Sequence, residues 1–193
     1  MSHADILREG YRQLGTAFDD WRDRIVGDPR AEWRDALVER LEPGARVLEL
    51  GCGAGDSGLR ESFDWTGVDL VARAPGVHEA DFLELDLPPA SYEACVSFYV
   101  FNHVPRERLA GLLGRLRRCL VPGGWFMHAF GQSDLEAWTG TWIADAPVFF
   151  SSYPAPVNSQ LVRDAGFTIV RDELVTFREP EGHTTFQWIL ARS

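Results

Sequence analysis

The sequence contains no lysine. All 19 of its basic residues are arginine, against 29 acidic residues, and the formal net charge is −10. This excludes chemistry that needs an internal amine: a Schiff base, a pyridoxal phosphate anchor or a P-loop phosphate lysine. The acidic balance repels polyphosphate and anionic membrane surfaces alike, so neither nucleic acid nor membrane is expected as a partner, and a cationic or neutral small molecule suits the chain better. Cysteine is also scarce. Cys52, Cys95 and Cys119 are too few and too scattered for a disulfide framework or a zinc site, and no metal is expected. No apolar run approaches the roughly 18 residues of a membrane span. The opening, Met1 to Tyr11, is polar and charged rather than a secretory leader. The expected compartment is the cytoplasm, and the oligomeric state is left open.

The 193 residues, 45% of them hydrophobic, suffice for one domain and are short for two. Residues 1–42 read as a helical cap. Leu7, Tyr11, Leu14, Phe18, Trp21 and Ile25 form one apolar stripe at helical spacing, broken by Asp28-Pro29, and a second helix follows from Ala31 to Leu41. Residues 45–130 change pattern. Strands are expected at Arg46–Leu50, Trp65–Leu70, Val77–Ala80, Ala94–Val100 and Trp125–Phe130, with an amphipathic helix over Pro105–Leu120. Residues 131–154 read as an irregular, aromatic-rich segment. Residues 155–193 hold a short helix and two strands, Phe167–Phe177 and His183–Ala191, joined by a short turn. Alternating strands and helices imply a mostly parallel sheet, and the final pair must be mutually antiparallel.

The first strand ends in Glu49 and runs into Gly51-Cys52-Gly53-Ala54-Gly55. Glycines there let the backbone turn sharply and bring its N–H groups close to a ligand. Asp69, ending the second strand, occupies the usual place of a carboxylate that accepts both ribose hydroxyls. A dinucleotide fingerprint, Gly53-Ala54-Gly55-Asp56-Ser57-Gly58, is present. However, Gly53 to Asp69 spans 16 residues, where that motif places its acid about 20 further on. Glu49 and Asp56 also surround the loop with negative charge, which opposes a pyrophosphate and favours a sulfonium cation.

Val47 to Gly55 resembles the first motif of class I S-adenosylmethionine-dependent methyltransferases, of the small bacterial type acting on small molecules. Gly67-Val68-Asp69-Leu70, Ala80-Asp81-Phe82, Leu116 to Gly124 and Asp164 to Phe167 with Phe186 to Ala191 resemble later segments of the family, in its order, over residues 45–192. The resemblance implies a Rossmann-like α/β fold: a seven-stranded, mostly parallel sheet with an antiparallel last strand and helices on both faces. It implies S-adenosylmethionine as cofactor, with contacts at Tyr11, Glu49, Gly51, Cys52, Gly53, Asp69, Leu70, Asp81, Phe82, Ser97 and Phe98. Two departures stand out. Only 12 residues separate Asp69 from Asp81, leaving no room for the usual helix and an open adenine side. The fourth strand's Ser97-Phe98-Tyr99-Val100 lacks the signatures of amino-directed and C5-cytosine DNA methyltransferases, and the acid that binds magnesium in catechol-type enzymes.

His103, following that strand, is the candidate general base, because an imidazole titrates near neutrality; the plainer alternative is a packing histidine. Cys52 reads as a small filler beside the cofactor, and His3, His78 and His183 as surface residues. Phe18, Trp21, Trp138, Trp142 and Phe150 are expected to line the acceptor pocket. The expected reaction is methyl transfer to a small apolar or aromatic acceptor. Its rivals are an RNA or protein methyltransferase, a non-catalytic S-adenosylmethionine-binding protein and, far behind, a nicotinamide-dependent oxidoreductase.

Overall fold

The computed structural model describes residues 2–193; Met1, the first residue of the expected cap, lies outside them. The main sheet is built from β1 (Arg46–Leu50), β2 (Asp64–Asp69), β3 (Val77–Glu79), β4 (Tyr92–Ser97), β5 (Leu120–Gly131), β8 (Thr168–Glu179) and β9 (Gly182–Arg192), in the order β3-β2-β1-β4-β5-β9-β8. β1 to β5 are parallel neighbours, while β9 runs antiparallel to both β5 and β8. This is the expected Rossmann-like α/β sheet.

Side chains alternate across its two faces. Leu48, Leu50, Cys95, Phe126, Phe130 and Ile189 pack under α4 (Arg106–Cys119) and α5 (Ala155–Asp164). Val47, Ala94, Val96, Met127, Trp188 and Leu190 pack under Trp33 and Leu37 of α3 (Arg30–Val38). With both faces covered, central strands read as nearly unbroken apolar runs. Between β2 and β3 there is no helix, as the short Asp69–Asp81 spacing implied.

Two regions differ from the sequence reading. The apolar stripe of the cap is carried by two helices, α1 (His3–Leu14) and α2 (Ala17–Arg22), because Gly15 adopts φ 48° and ends the first. Residues 131–154 are not irregular: β6 (Leu135–Thr141) and β7 (Pro147–Ser152) pair as an antiparallel hairpin outside the main sheet. Its apolar β7 positions have a partner the sequence does not reveal, α1. Leu7 packs with Val148 and Phe149. At the crossing, a Cβ on Gly10 would lie 1.9 Å from the Pro147 carbonyl oxygen, so only glycine allows this approach.

Candidate active site

The strand order reverses between β1 and β4, and ligand crevices in open α/β sheets form beyond the strand ends at such a point. A cavity of about 380 Å³ lies there, roofed by α1, α2 and Trp142 of the hairpin connection. Tyr11, Glu49, Gly51, Cys52, Gly53, Asp69, Leu70, Asp81, Phe82, Phe98 and His103 line it, as do Phe18, Trp21, Trp142 and Phe150.

Two expected residues do not. Ser97 is buried in the sheet, and its hydroxyl donates to the Leu50 carbonyl at 3.0 Å, so it ties β4 to β1 and contacts nothing in the cavity. Trp138 is 43% exposed and stacks on the outer side of Phe150, with ring centroids 6.0 Å apart. Cross-strand pairing puts Trp138 on the same hairpin face as Phe150, and Phe150, stacked on His103 at 5.0 Å, takes the place at the cavity and leaves Trp138 behind it; an irregular reading of the segment could not show this pairing.

The glycine loop is braced by carboxylates. Asp69 Oδ2 accepts the Gly53 N–H at 2.8 Å and Oδ1 the Val71 N–H at 3.0 Å. Each oxygen therefore keeps a lone pair for a ligand hydroxyl. Burial pushes this carboxyl above the usual range, opposed by those two N–H groups. Glu49, only 2% exposed, uses Oε2 to accept the Ser57 hydroxyl and the Trp65 indole N–H, both at 2.8 Å. Asp81 Oδ1 accepts the Leu83 N–H at 2.9 Å. Gly53 has φ 57° and would carry a Cβ into open cavity, so a side chain there meets no protein but is strained by the backbone and takes up cavity space. At Gly51 a Cβ would lie 2.1 Å from a methyl of Val100. The Cys52 thiol is pushed far up by burial and by Glu49 and Asp69, which keeps it an inert filler.

His103 is held on both sides. A carbonyl only accepts, so the 2.8 Å contact to Phe149 O assigns the ring proton to Nδ1. Nε2 then accepts the Tyr11 hydroxyl at 2.8 Å. Burial pushes this histidine down to about 4, so it is neutral at pH 7. Burial likewise holds the Tyr11 phenol well above its ordinary value, keeping it protonated. The imidazole lone pair therefore faces Tyr11 rather than open cavity.

Several cavity residues escaped the sequence reading. His3 was taken for a surface residue, yet it lines the cavity, half-buried near Asp81. Arg30 opens α3, and its guanidinium lies 5.5 and 5.2 Å from the ring centres of Phe98 and Tyr99; its buried Nε has no hydrogen-bond partner among the described residues. Tyr99, Phe177, Glu179 and Phe186 arrive from β4's end and the β8–β9 hairpin. Nothing local marks these residues, except that Glu179 breaks the inward apolar alternation Val175, Phe177.

The set fits S-adenosylmethionine. Asp69 and Asp81 offer acceptors to ribose hydroxyls and an exocyclic amine, while Glu49 and the orphaned Arg30 Nε complement the ammonium and carboxylate of an amino-acid end. Asp69→Ala is expected to weaken S-adenosylmethionine binding by about tenfold to a hundredfold, since a hydrogen bond to a charged group contributes roughly 1.5–3 kcal/mol. Calorimetry on the folded variant checks this; unchanged affinity would remove Asp69 from the site.

Comparison with known proteins bears on the fold and the family. The chain is 30% identical over 115 residues to the ubiquinone biosynthesis O-methyltransferase of Paracidovorax citrulli, covering 50% of this chain and 47% of that protein. It is 30% identical over 141 residues to the fatty-acid O-methyltransferase of Mycolicibacterium smegmatis, covering 62% and 49%. The chain thus spans about half the length of these curated relatives. Its fold matches that of Burkholderia thailandensis 1,6-didemethyltoxoflavin-N1-methyltransferase, solved with 1,6-didemethyltoxoflavin and S-adenosylhomocysteine bound. The TM-score is 0.73 at 22% identity, over 98% of this chain and 88% of that one. A family described as a methyltransferase domain matches residues 20–172. With the seven-stranded sheet, the glycine loop and that match together, the chain belongs to the methyltransferase domain family, of the class I S-adenosylmethionine-dependent type.

Proposed function

We propose that this protein transfers a methyl group from S-adenosylmethionine to a small, largely aromatic or apolar acceptor. One observation carries the reading: the cavity reached by the glycine loop continues into a chamber walled by aromatic rings. Trp21 and Trp142 meet edge to face at 4.8 Å, and Tyr99 and Phe186 at 4.8 Å. Such walls suit a flat apolar molecule. The relatives named for ubiquinone biosynthesis, fatty acids and didemethyltoxoflavin support a small-molecule acceptor.

The cofactor, when bound, supplies an electrophilic methyl on a sulfonium sulfur that leaves as a neutral thioether. The chain's own work is alignment, water exclusion and removal of one proton. Tyr11 presents its hydroxyl oxygen to the cavity while donating to His103 Nε2. An acceptor N–H or O–H that donates to Tyr11 can pass its proton there as the new bond to carbon forms, and Tyr11 passes its own to His103. His103 becomes an imidazolium whose Nδ1–H stays on Phe149 O. Tyr11 is thereby the contact residue and His103 the proton sink. The test is turnover: purified protein with methyl-labelled S-adenosylmethionine and a small-molecule extract should yield a labelled small product and S-adenosylhomocysteine. Label entering only protein or RNA would overturn the reading.

A further inference from the structure

The aromatic part of the cavity wall contains a carboxylate, Glu179, with no side-chain partner among the described residues. On the inward face of β8, Val175 and Phe177 are followed by Glu179, where alternation calls for another apolar side chain. Neighbouring carboxylates are committed. Asp28 takes the Tyr99 hydroxyl at 2.5 Å and the Arg30 N–H at 2.9 Å. Glu181 takes the Trp21 indole N–H with both oxygens at 2.9 Å. Glu179 makes no side-chain hydrogen bond or ion pair among the described residues, yet it is half-buried beside Tyr99, Phe177 and Phe186 in the cavity wall.

An unpaired carboxylate in an apolar wall is unfavourable unless a ligand supplies the missing charge or donor. Aromatic faces around a carboxylate make a site for an organic cation, because ring quadrupole and anion attract the same partner. We propose that the acceptor carries a basic nitrogen, an amine or a protonatable ring nitrogen, and that Glu179 receives it as the specificity-determining residue of the aromatic chamber. This rests on the small-molecule methyltransferase reading and narrows its substrate class. The basic nitrogen is the recognition group, whichever atom is methylated.

The carboxyl's surroundings agree. Burial first, then Glu181 and Asp28, push Glu179 up to about 7. The other groups about it are Arg30, Tyr99, whose phenol stays protonated, and the exposed Arg178 and His183 near the hairpin turn. A bound cation favours the ionised carboxylate, so binding near neutral pH releases a proton.

The test uses the full chain saturated with S-adenosylhomocysteine and three matched probe pairs: tryptamine and tryptophol, tyramine and tyrosol, benzylamine and benzyl alcohol. At least one amine should bind roughly tenfold tighter than its alcohol, the size of one charge-assisted hydrogen bond. Calorimetry in two buffers of different ionisation enthalpy should show proton release with that amine near pH 7. Glu179→Gln should abolish both the preference and the proton release while leaving S-adenosylhomocysteine affinity and the melting temperature in place. Glu181→Gln should retain the preference. Equal binding within every pair, no binding of any amine, or a preference that survives Glu179→Gln would overturn the proposal while the methyltransferase reading stands. Failure to bind S-adenosylhomocysteine would instead overturn that reading and the amine site with it.

Discussion

Deleting residues 1–27 is expected to abolish methyl transfer while the seven-stranded sheet stays folded, with a smaller loss in cofactor affinity. Among the described residues, the segment touches the main sheet's backbone hydrogen bonding only through a single bridge from Val26 to Arg178 of β8, while Leu7 packs on the hairpin and Trp21 lines the cavity. Leu7, Leu14 and Trp21 are at most 4% exposed, and burying each contributes about 1.5–3 kcal/mol. Polar ties add orientation. Arg22 reaches Asp56 of the glycine loop at 2.7 Å, Arg73 pairs with Asp19, and Gln13 donates to the Ala144 carbonyl at 3.1 Å. Exposed ion pairs of this kind are worth only about 0–1 kcal/mol, so apolar burial holds the cap down and the ion pairs set its register over the glycine loop. Without the cap, Phe18, Trp21 and Tyr11 leave the site and water reaches the methyl. The cofactor keeps Glu49, Asp69 and Asp81.

Because the truncation also uncovers Val148 and Phe149, Gly10→Val is a second test. It drives a side chain into the Pro147 carbonyl and lifts α1 without touching the sheet. Hydrogen exchange should show protection in residues 3–22 and 135–152 when S-adenosylhomocysteine binds the parent protein, and loss of that protection in the variant. Protection confined to residues 49–82 would reduce the cap to simple packing.

Tyr11→Phe and His103→Ala should each lower kcat by about a hundredfold or more, within the range typical of a positioned general base. The double variant should be little worse than either, because the two residues act as one relay. Tyr11→Phe keeps the ring that packs edge-on against Phe18 at 5.7 Å and against His103 at 5.6 Å, so the fold and the aromatic wall persist. If Tyr11→Phe instead raised the dissociation constant of S-adenosylmethionine and left kcat alone, Tyr11 would be a cofactor contact, as the family resemblance implied, and not a relay.

The pH profile adds a separate check. The folded value of His103 lies near 4, below the ordinary 6.5, because burial disfavours the imidazolium. At saturating acceptor, kcat should therefore stay level as pH falls from about 8 to about 5, with its acid limb near 4. The same shift makes the unfolded chain the better proton binder between those values. The contribution of His103 to stability is thus full above about 6.5 and is lost as pH falls towards 4. An acid limb in kcat near 6.5 would show His103 to be solvated and freely titrating.

What could be read from the chain alone was local. The run from Val47 to Gly55 encodes a buried strand and a turn in one stretch, and Asp69 and Asp81 follow at the ends of the next two strands. Residues so close along the chain are placed by backbone geometry almost regardless of what packs on them. The helix-less link from Leu70 to Gly76 was a matter of length. A mostly parallel sheet and a mutually antiparallel final pair followed from alternating elements and a short final turn, and the reversed last strand from the family resemblance; the order of the strands came from the folded chain.

Other features needed the folded chain. Tyr11 and His103 are 92 positions apart, and their hydrogen bond exists only because Gly10 lets α1 press onto β7. Trp142 enters the cavity because it follows the end of β6 and meets Phe18 and Trp21 of the cap, whereas Trp138 sits within the hairpin behind Phe150. Ser97 was assigned to the cofactor by position, yet its hydroxyl found a closer acceptor in Leu50. Arg30 and Glu179 are ordinary surface types in sequence, and packing of the 26–30 segment against β8 turned them inwards. Backbone motifs are specified by neighbours along the chain, whereas the direction of a side chain in a cavity is decided by which elements pack around it.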